Sequence, residues 1–212
     1  MNTTPYGRAA IRRTHEKTAF DQAIALLRQG EVIALPTDTI YGVACDSANP
    51  AAIARLYEVK ERPREKAIPL LLSGERQLID ATENLPDAAW DLTQQYWPGP
   101  LTIILEAAAH LPPILTANGD TVAVRLPDHR VVRVLCAMLG RPLAVSSANL
   151  SNHDECCTAE EVMQQIGTRI PLILDGGKTP GGQASTIIDF TATPPRLLRE
   201  GPITRKMLLS WL

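Results

Sequence analysis

Eight short apolar runs, each cut off by proline, glycine or a polar cluster, constrain this chain more than any other feature. "EVIAL" (31–35), "AIPLLLS" (67–73), "LTIILEA" (101–107) and "TVAVRLP" (121–127) read as strands. So do "PLAVSS" (142–147), "IPLILDGG" (170–177), "STIIDF" (185–190) and "PRLLRE" (195–200). Between them lie stretches of helical period. "TAFDQAIALLRQG" stops at Gly30, and "NPAAIARLYEVKER" starts at Asn49 as N-cap with Pro50 in the first turn. "PDAAWDLTQQYW", "HRVVRVLCAMLG", "TAEEVMQQIG" with its Thr158–Glu161 capping box, and "ITRKMLLSWL" complete the set. Strands alternate with helices in places and follow one another near 101–126 and 170–199. That pattern predicts a mixed parallel and antiparallel twisted sheet flanked by helices, an α/β fold. No repeat or linker divides the 212 residues. We expect one domain over 18–212, preceded by an N-terminal extension at 1–17.

Charge and cysteine content narrow the function classes. Lys and Arg number 21 against 23 Asp and Glu, a net −2, so no global positive field draws the chain to nucleic acid. Any RNA binding is expected to be weak and local. Four cysteines without a C-x-x-C pair suit a reduced, cytoplasmic protein, and Cys156 beside Cys157 is poor geometry for a bridge. The N-terminus carries no apolar core of a signal peptide, and no run approaches the roughly 20 residues that span a bilayer. Membrane association is not expected.

Some tempting motifs fail on spacing. "DGGKT" (175–179) resembles the tail of a phosphate-binding P-loop, but Leu172 stands where that loop needs its first glycine. The segment "DGGKTPGG" reads as a glycine-rich connection instead. No second pair completes a zinc set around His153 and Cys156, and the four histidines are scattered. No metal site is expected.

Three clusters remain. "KERPREK" (60–66) places four cations at the exit of a helix just before a buried strand. Arg125 lies on a strand between apolar neighbours, and Arg199 repeats the pattern on the last strand; guanidinium groups there suit planar carboxylate and phosphate partners. Hydroxyls and an amide gather at strand ends, in "VSSAN" (Ser146, Ser147, Asn149) and "ASTIID" (Ser185, Thr186). Cations and hydroxyls without an evident general base fit phosphoryl or nucleotidyl transfer, where alignment and electrostatics carry most of the catalysis. "LPTDTIYGVACD" (35–46) spends more polar residues after a strand than chain reversal needs. The end of a strand in an open α/β sheet is a usual ligand position.

With these residues assembled, the chain resembles the YrdC/TsaC family of threonylcarbamoyl-AMP synthases, in their single-domain form. "PTDTIYG", the K-x-R of Lys60 and Arg62, "WPGPLT", "TVAVRLP", the S-x-N of Ser147 and Asn149, "STIID" and "LLREGPI" occur in the family's order. The resemblance implies an α/β sheet around a deep positive cavity. It implies formation of threonylcarbamoyl-AMP and pyrophosphate from L-threonine, bicarbonate and ATP with Mg2+, for modification of tRNA by downstream threonylcarbamoyl-transfer proteins. It places Thr39, Arg125, Val145 and Ser185 at threonine, and Lys60, Arg62, Lys66, Thr121, Ser147, Asn149 and Arg199 at ATP, with Lys60 and Arg62 catalytic. Leu71 stands where some relatives have a histidine, and Glu155 where a serine can touch nucleotide. The longer members' C-terminal domain and linker are not expected. A carbamoyl-adenylate-forming relative and an RNA-binding or ribosome-assembly factor are the alternatives.

Overall fold

In the computed structural model, which describes residues 7–180 and 183–212, ten strands form one mixed sheet. In chain order the elements are β1 (Ala10–Arg13), α1 (Ala19–Arg28), β2 (Ile33–Leu35), β3 (Gly42–Asp46), α2 (Pro50–Lys60), β4 (Leu70–Leu71), α3 (Glu75–Ala81) and α4 (Asp87–Tyr96). There follow β5 (Leu101–Glu106), β6 (Thr121–Arg125), α5 (Arg130–Leu139), β7 (Leu143–Ser147), α6 (Ala159–Ile166), β8 (Leu172–Asp175), β9 (Thr186–Asp189) and β10 (Arg196–Arg199). The order across the sheet is β1-β8-β2-β3-β7-β4-β6-β5-β9-β10, with parallel and antiparallel pairs interspersed. The expected mixed α/β sheet in one domain is therefore what forms. None of the described helices is long and apolar enough to cross a membrane.

The strands' two-residue period builds two different faces. On one face, Val43, Ala144, Leu70, Val124, Ile103 and Ile188 meet the apolar sides of α2, α3, α4 and α6. On the other, Ile33, Leu35, Ala44, Leu143, Val145 and Leu174 are covered by α1 and α5. That second cover is short. Its two helices pack over the β8, β2, β3 and β7 side of the sheet, so the same face over β6, β5, β9 and β10 is left without a helix. The fold thereby leaves a hollow in the middle of a sheet face.

Five elements depart from the sequence expectation. β3 lies inside "LPTDTIYGVACD", where no strand is expected; it becomes a central strand because β2 and β7 hydrogen-bond to it on both sides. β4 shrinks to Leu70 and Leu71 within the longer run "AIPLLLS". α3 arises from "ERQLIDA", where only Leu78 and Ala81 are buried. The closing helix expected over 203–212 is a single 3-10 turn at Arg205–Leu208, since Met207 and Leu209 find no apolar partner and stay 49% and 66% exposed. β1 sits within the stretch set apart as an extension and pairs in parallel with β8. Residues 1–6 of that stretch, and 181–182 of the glycine-rich connection, lie outside the described residues.

Candidate functional site

The hollow encloses about 360 Å3, within the range of small-molecule sites. Its floor follows from strand periodicity. Thr102 and Ile104 on β5, Ala123 and Arg125 on β6, Val145 and Ser147 on β7, and Ser185 and Ile187 at β9 each lie two residues apart and face it together. The loop after β2 supplies one wall with Thr37, Thr39 and Ile40, and Arg62 and Arg199 approach from opposite sides.

The loop 36–41 is held by its own hydroxyls. Thr37 Oγ1 donates to the Ile40 carbonyl (2.7 Å) and accepts from the Thr39 amide (3.1 Å), so the polar excess of "PTDT" builds a fixed turn. Gly42 then begins β3 where a Cβ would stand 2.6 Å from Val145 Cγ1; only glycine lets the two strands approach there. Tyr41 Oη donates to the Gly177 carbonyl (2.8 Å) and accepts from the Gly176 amide (3.2 Å), tying this loop to the glycine-rich connection. Burial pushes that phenol up to about 12, so it stays protonated and donating.

Arg125 closes β6 and is 5% exposed. Its Nε donates to the Gly99 carbonyl (3.0 Å), one terminal nitrogen to Thr39 Oγ1 (3.1 Å), and the other to Asp38 Oδ1 (2.6 Å). Burial lowers its pKa and the Asp38 carboxylate opposes that shift. Arg125 thus pairs with a carboxylate and also lines the hollow.

Lys60 is the last residue of α2, followed by Glu61 in the left-handed region (φ 52°). That turn sends Lys60 inward, where it is 2% exposed. Its ammonium donates to the Ser147 carbonyl and, at 2.6 Å, to the Asn149 carbonyl. Burial, with Arg62 adding repulsion, pulls its pKa down to about 7. Asn149 is oriented by donating Nδ2 to the His153 carbonyl (2.6 Å). Arg62 donates to the carbonyls of Lys66 (2.9 Å) and Ala67 (2.8 Å), which curls "RPREKA" into a ring around the guanidinium. Arg199 donates to the Ser185 carbonyl (2.8 Å) and Oγ (3.2 Å); burial lowers its pKa, and Glu155 opposes the shift.

The structure thus brings Thr39, Arg62, Arg125, Val145, Ser147, Ser185 and Arg199 to one hollow, with Lys60 and Asn149 against its wall. It does not bring Lys66 or Thr121 there. Lys66 is exposed and offers only its carbonyl to Arg62, and Thr121 sits at the far end of β6, paired with Glu106. Sequence reasoning missed Asp38, Thr37 and Thr102, although all three lie in stretches it singled out. The signal for Thr102 was its place two residues before Ile104 on a strand; it shares a 2.7 Å hydroxyl contact with Ser185. Leu71 and Glu155, the two departures, both line the hollow. Among the described residues no group of three or more His, Cys, Asp and Glu could hold a metal ion. Three arginines against one glutamate on the wall suit a polyanion.

The Sua5_yciO_yrdC family model, described as telomere recombination, matches residues 25–201. The threonylcarbamoyl-AMP synthase of Bacillus subtilis is 40% identical over 188 residues, covering 88% of this chain and 54% of that relative. The synthase of Vibrio campbellii is 38% identical over 184 residues, covering 86% of this chain and 98% of that relative. The crystal structure of Pyrococcus abyssi Sua5 complexed with L-threonine superposes with a TM-score of 0.87 at 34% identity, over 91% of this chain and 57% of that one. The chain thus spans a little over half the length of the Bacillus and Pyrococcus relatives and nearly all of the Vibrio one.

Proposed function

The chain belongs to the Sua5/YciO/YrdC family, and on that premise we propose that it is an L-threonylcarbamoyladenylate synthase. It takes L-threonine, bicarbonate and MgATP to threonylcarbamoyl-AMP, pyrophosphate and water. The product is consumed by enzymes that move the threonylcarbamoyl group to adenosine in tRNA. The observation that carries the reading is the meeting, in one hollow, of a preorganised guanidinium on Arg125 and a second set of cations on Arg62 and Arg199.

The roles follow from the donors. Arg125 keeps one N–H free on each terminal nitrogen, since a guanidinium has five and three are engaged. Those two receive the threonine carboxylate. Thr39 and Ser185 offer hydroxyls beside it, and Val145 packs against the side-chain methyl. The threonine amine captures bicarbonate as a carbamate with loss of water. A carbamate oxygen then attacks the α-phosphorus, and the bond to the β-phosphate oxygen breaks to release pyrophosphate. Lys60, Arg62 and Arg199 take up the negative charge that spreads over the phosphoryl oxygens, with Ser147 and Asn149 as neutral partners. Magnesium bound to ATP would neutralise part of the charge on the leaving pyrophosphate. Lys66 and Thr121 are not part of this set.

The test is pyrophosphate release by the purified protein with threonine, bicarbonate and MgATP. Release that depends on all three, with threonylcarbamoyl-AMP as product, is the expected result. Release without threonine would reject the threonine assignment, and release that requires carbamoyl phosphate in its place would assign the chain to carbamoyl-adenylate chemistry instead.

A further inference from the structure

The hollow must sort two anions that differ in kind. A carboxylate belongs at Arg125, and a triphosphate carrying several charges belongs at Lys60, Arg62 and Arg199. An unpaired, buried guanidinium would favour the phosphate, because charge-assisted hydrogen bonds strengthen with the acceptor's charge. Yet Arg125 does not stand unpaired. Its front lines the hollow, whereas Asp38, which does not line it, reaches the guanidinium from behind at 2.6 Å. Both side chains are nearly buried, 7% and 11% exposed. The second carboxylate oxygen, Asp38 Oδ2, is buried and has no hydrogen-bond partner among the described residues, so nothing else in its surroundings compensates its charge. Burial lowers the pKa of His129 while Asp38 opposes that shift, so burial disfavours the imidazolium that would otherwise share the carboxylate's charge. Arg125 is therefore the cation Asp38 neutralises, and Asp38 the anion that neutralises Arg125. Among the described residues, Arg62 and Arg199 have no such carboxylate in hydrogen-bond contact; their donors go to backbone carbonyls and the Ser185 hydroxyl.

We propose that Asp38 is the positioning residue that sets anion selectivity within the hollow, by cancelling the charge of Arg125 while aiming its two free N–H groups forward. The pair presents directional donors with almost no net field. Such a site takes the carboxylate of a zwitterionic amino acid, whose own ammonium balances it, and holds little attraction for a phosphate chain. The triphosphate is left to the cations whose charge is not cancelled. This inference rests on the proposed function, since it presumes an amino-acid carboxylate at Arg125.

Calorimetric titration of the full chain with L-threonine and with inorganic pyrophosphate separates the two. In the wild type, threonine binds with the same affinity whether or not pyrophosphate is present. In Asp38→Asn, which keeps the shape and loses the charge, pyrophosphate gains a second site at Arg125. Saturating pyrophosphate then weakens threonine binding at least tenfold, while the first pyrophosphate affinity stays within twofold of wild type. Asp38→Glu, which restores the charge, removes that competition. A neutral variant in which threonine and pyrophosphate still bind independently overturns the inference. So does loss of both ligands together, which would assign Asp38 a purely structural role. Asp38→Ser, with room for a water, serves as the second neutral variant; failure of both neutral variants to fold would likewise assign that structural role. Wild-type protein that binds no threonine at all rejects the proposed function itself, a result distinct from independent binding in the variant.

Discussion

Arg169 braces the turn that separates Lys60 from Arg62: its guanidinium donates to Glu61 Oε1 at 2.6 Å and to the Val59 carbonyl at 3.2 Å. Glu61 occupies the left-handed region, which costs a residue with a side chain roughly 1–2 kcal/mol. The bond from Arg169 offsets part of that cost and satisfies a last-turn carbonyl of α2. A residue 108 positions away thus holds the two halves of the K-x-R in their orientations.

Arg169→Ala is expected to lower kcat/KM for ATP about tenfold, the effect of roughly 1.4 kcal/mol in transition-state stabilisation. Glu61 is exposed and Arg169 half-buried, so the pair's effect on stability stays at or below about 1 kcal/mol. Adding Glu61→Gly, which relieves the left-handed strain, should restore most of the activity. Steady-state kinetics on the single and double variants check this; an Arg169→Ala enzyme with wild-type kinetics would show that the turn needs no brace.

Lys60 makes ATP binding pH-dependent. Its pKa is pulled down to about 7 by burial, so above that value the free protein loses the ammonium proposed to meet the phosphates. ATP affinity measured between pH 7.5 and 9.5, above the titration of ATP itself, should fall as pH rises. In Lys60→Arg, which stays charged, the fall should vanish. The sign for stability is opposite. Between about 7 and the ordinary lysine value near 10.4, the unfolded chain holds a proton that the folded chain has released. Stability therefore rises with pH across that window and levels off above it. Denaturant melts of wild type and Lys60→Met at pH 7 and 9.5 measure the difference, and a slope that persists in Lys60→Met would assign it elsewhere.

Gly42→Ala should fold less stably by about 1–3 kcal/mol, because its Cβ would press on Val145 Cγ1 in the middle of the sheet. The displaced Val145 would intrude on the proposed threonine position and raise the KM for threonine more than that for ATP. Val145→Ala in the same chain makes room and should recover much of the stability in thermal melts.

Glu155 places a negative charge on the hollow's wall, close enough to oppose the lowered pKa of both Lys60 and Arg199. Glu155→Ser should tighten ATP binding about two- to fivefold at low salt, as expected for one exposed charge at a distance of several ångströms. The gain should shrink at 0.5 M salt. Tighter Mg2+ dependence with unchanged ATP affinity would mean instead that the carboxylate acts on the metal.

Local signals were legible where one turn or one strand carries its own cause. Asn49 caps α2 through the amides of Ala51 and Ala52, and Thr158 and Glu161 form the capping box of α6. Gly140 ends α5 in the left-handed region. β3 was not legible, since "GVACD" has weak strand propensity and is a strand only because two neighbours bond to it. The grouping of Arg125, Ser185 and Arg199 could be suspected from residue type, whereas the exclusion of Lys66 and Thr121 could not. Lys66 is exposed and meets Arg62 only through its backbone carbonyl, and Thr121 lies at the end of β6 opposite Arg125.

By itself the sequence determined which residues share a strand face and where most helices begin and end, because those depend on neighbours within a few positions. Tertiary structure alone decided that α1 and α5 stop short of covering the sheet, and so where the hollow opens. It also brought Asp38 to Arg125 across 87 positions, and Lys60 to the Asn149 carbonyl across 89. Charges separated by that much chain acquire a partner only when the strands between them close into one sheet.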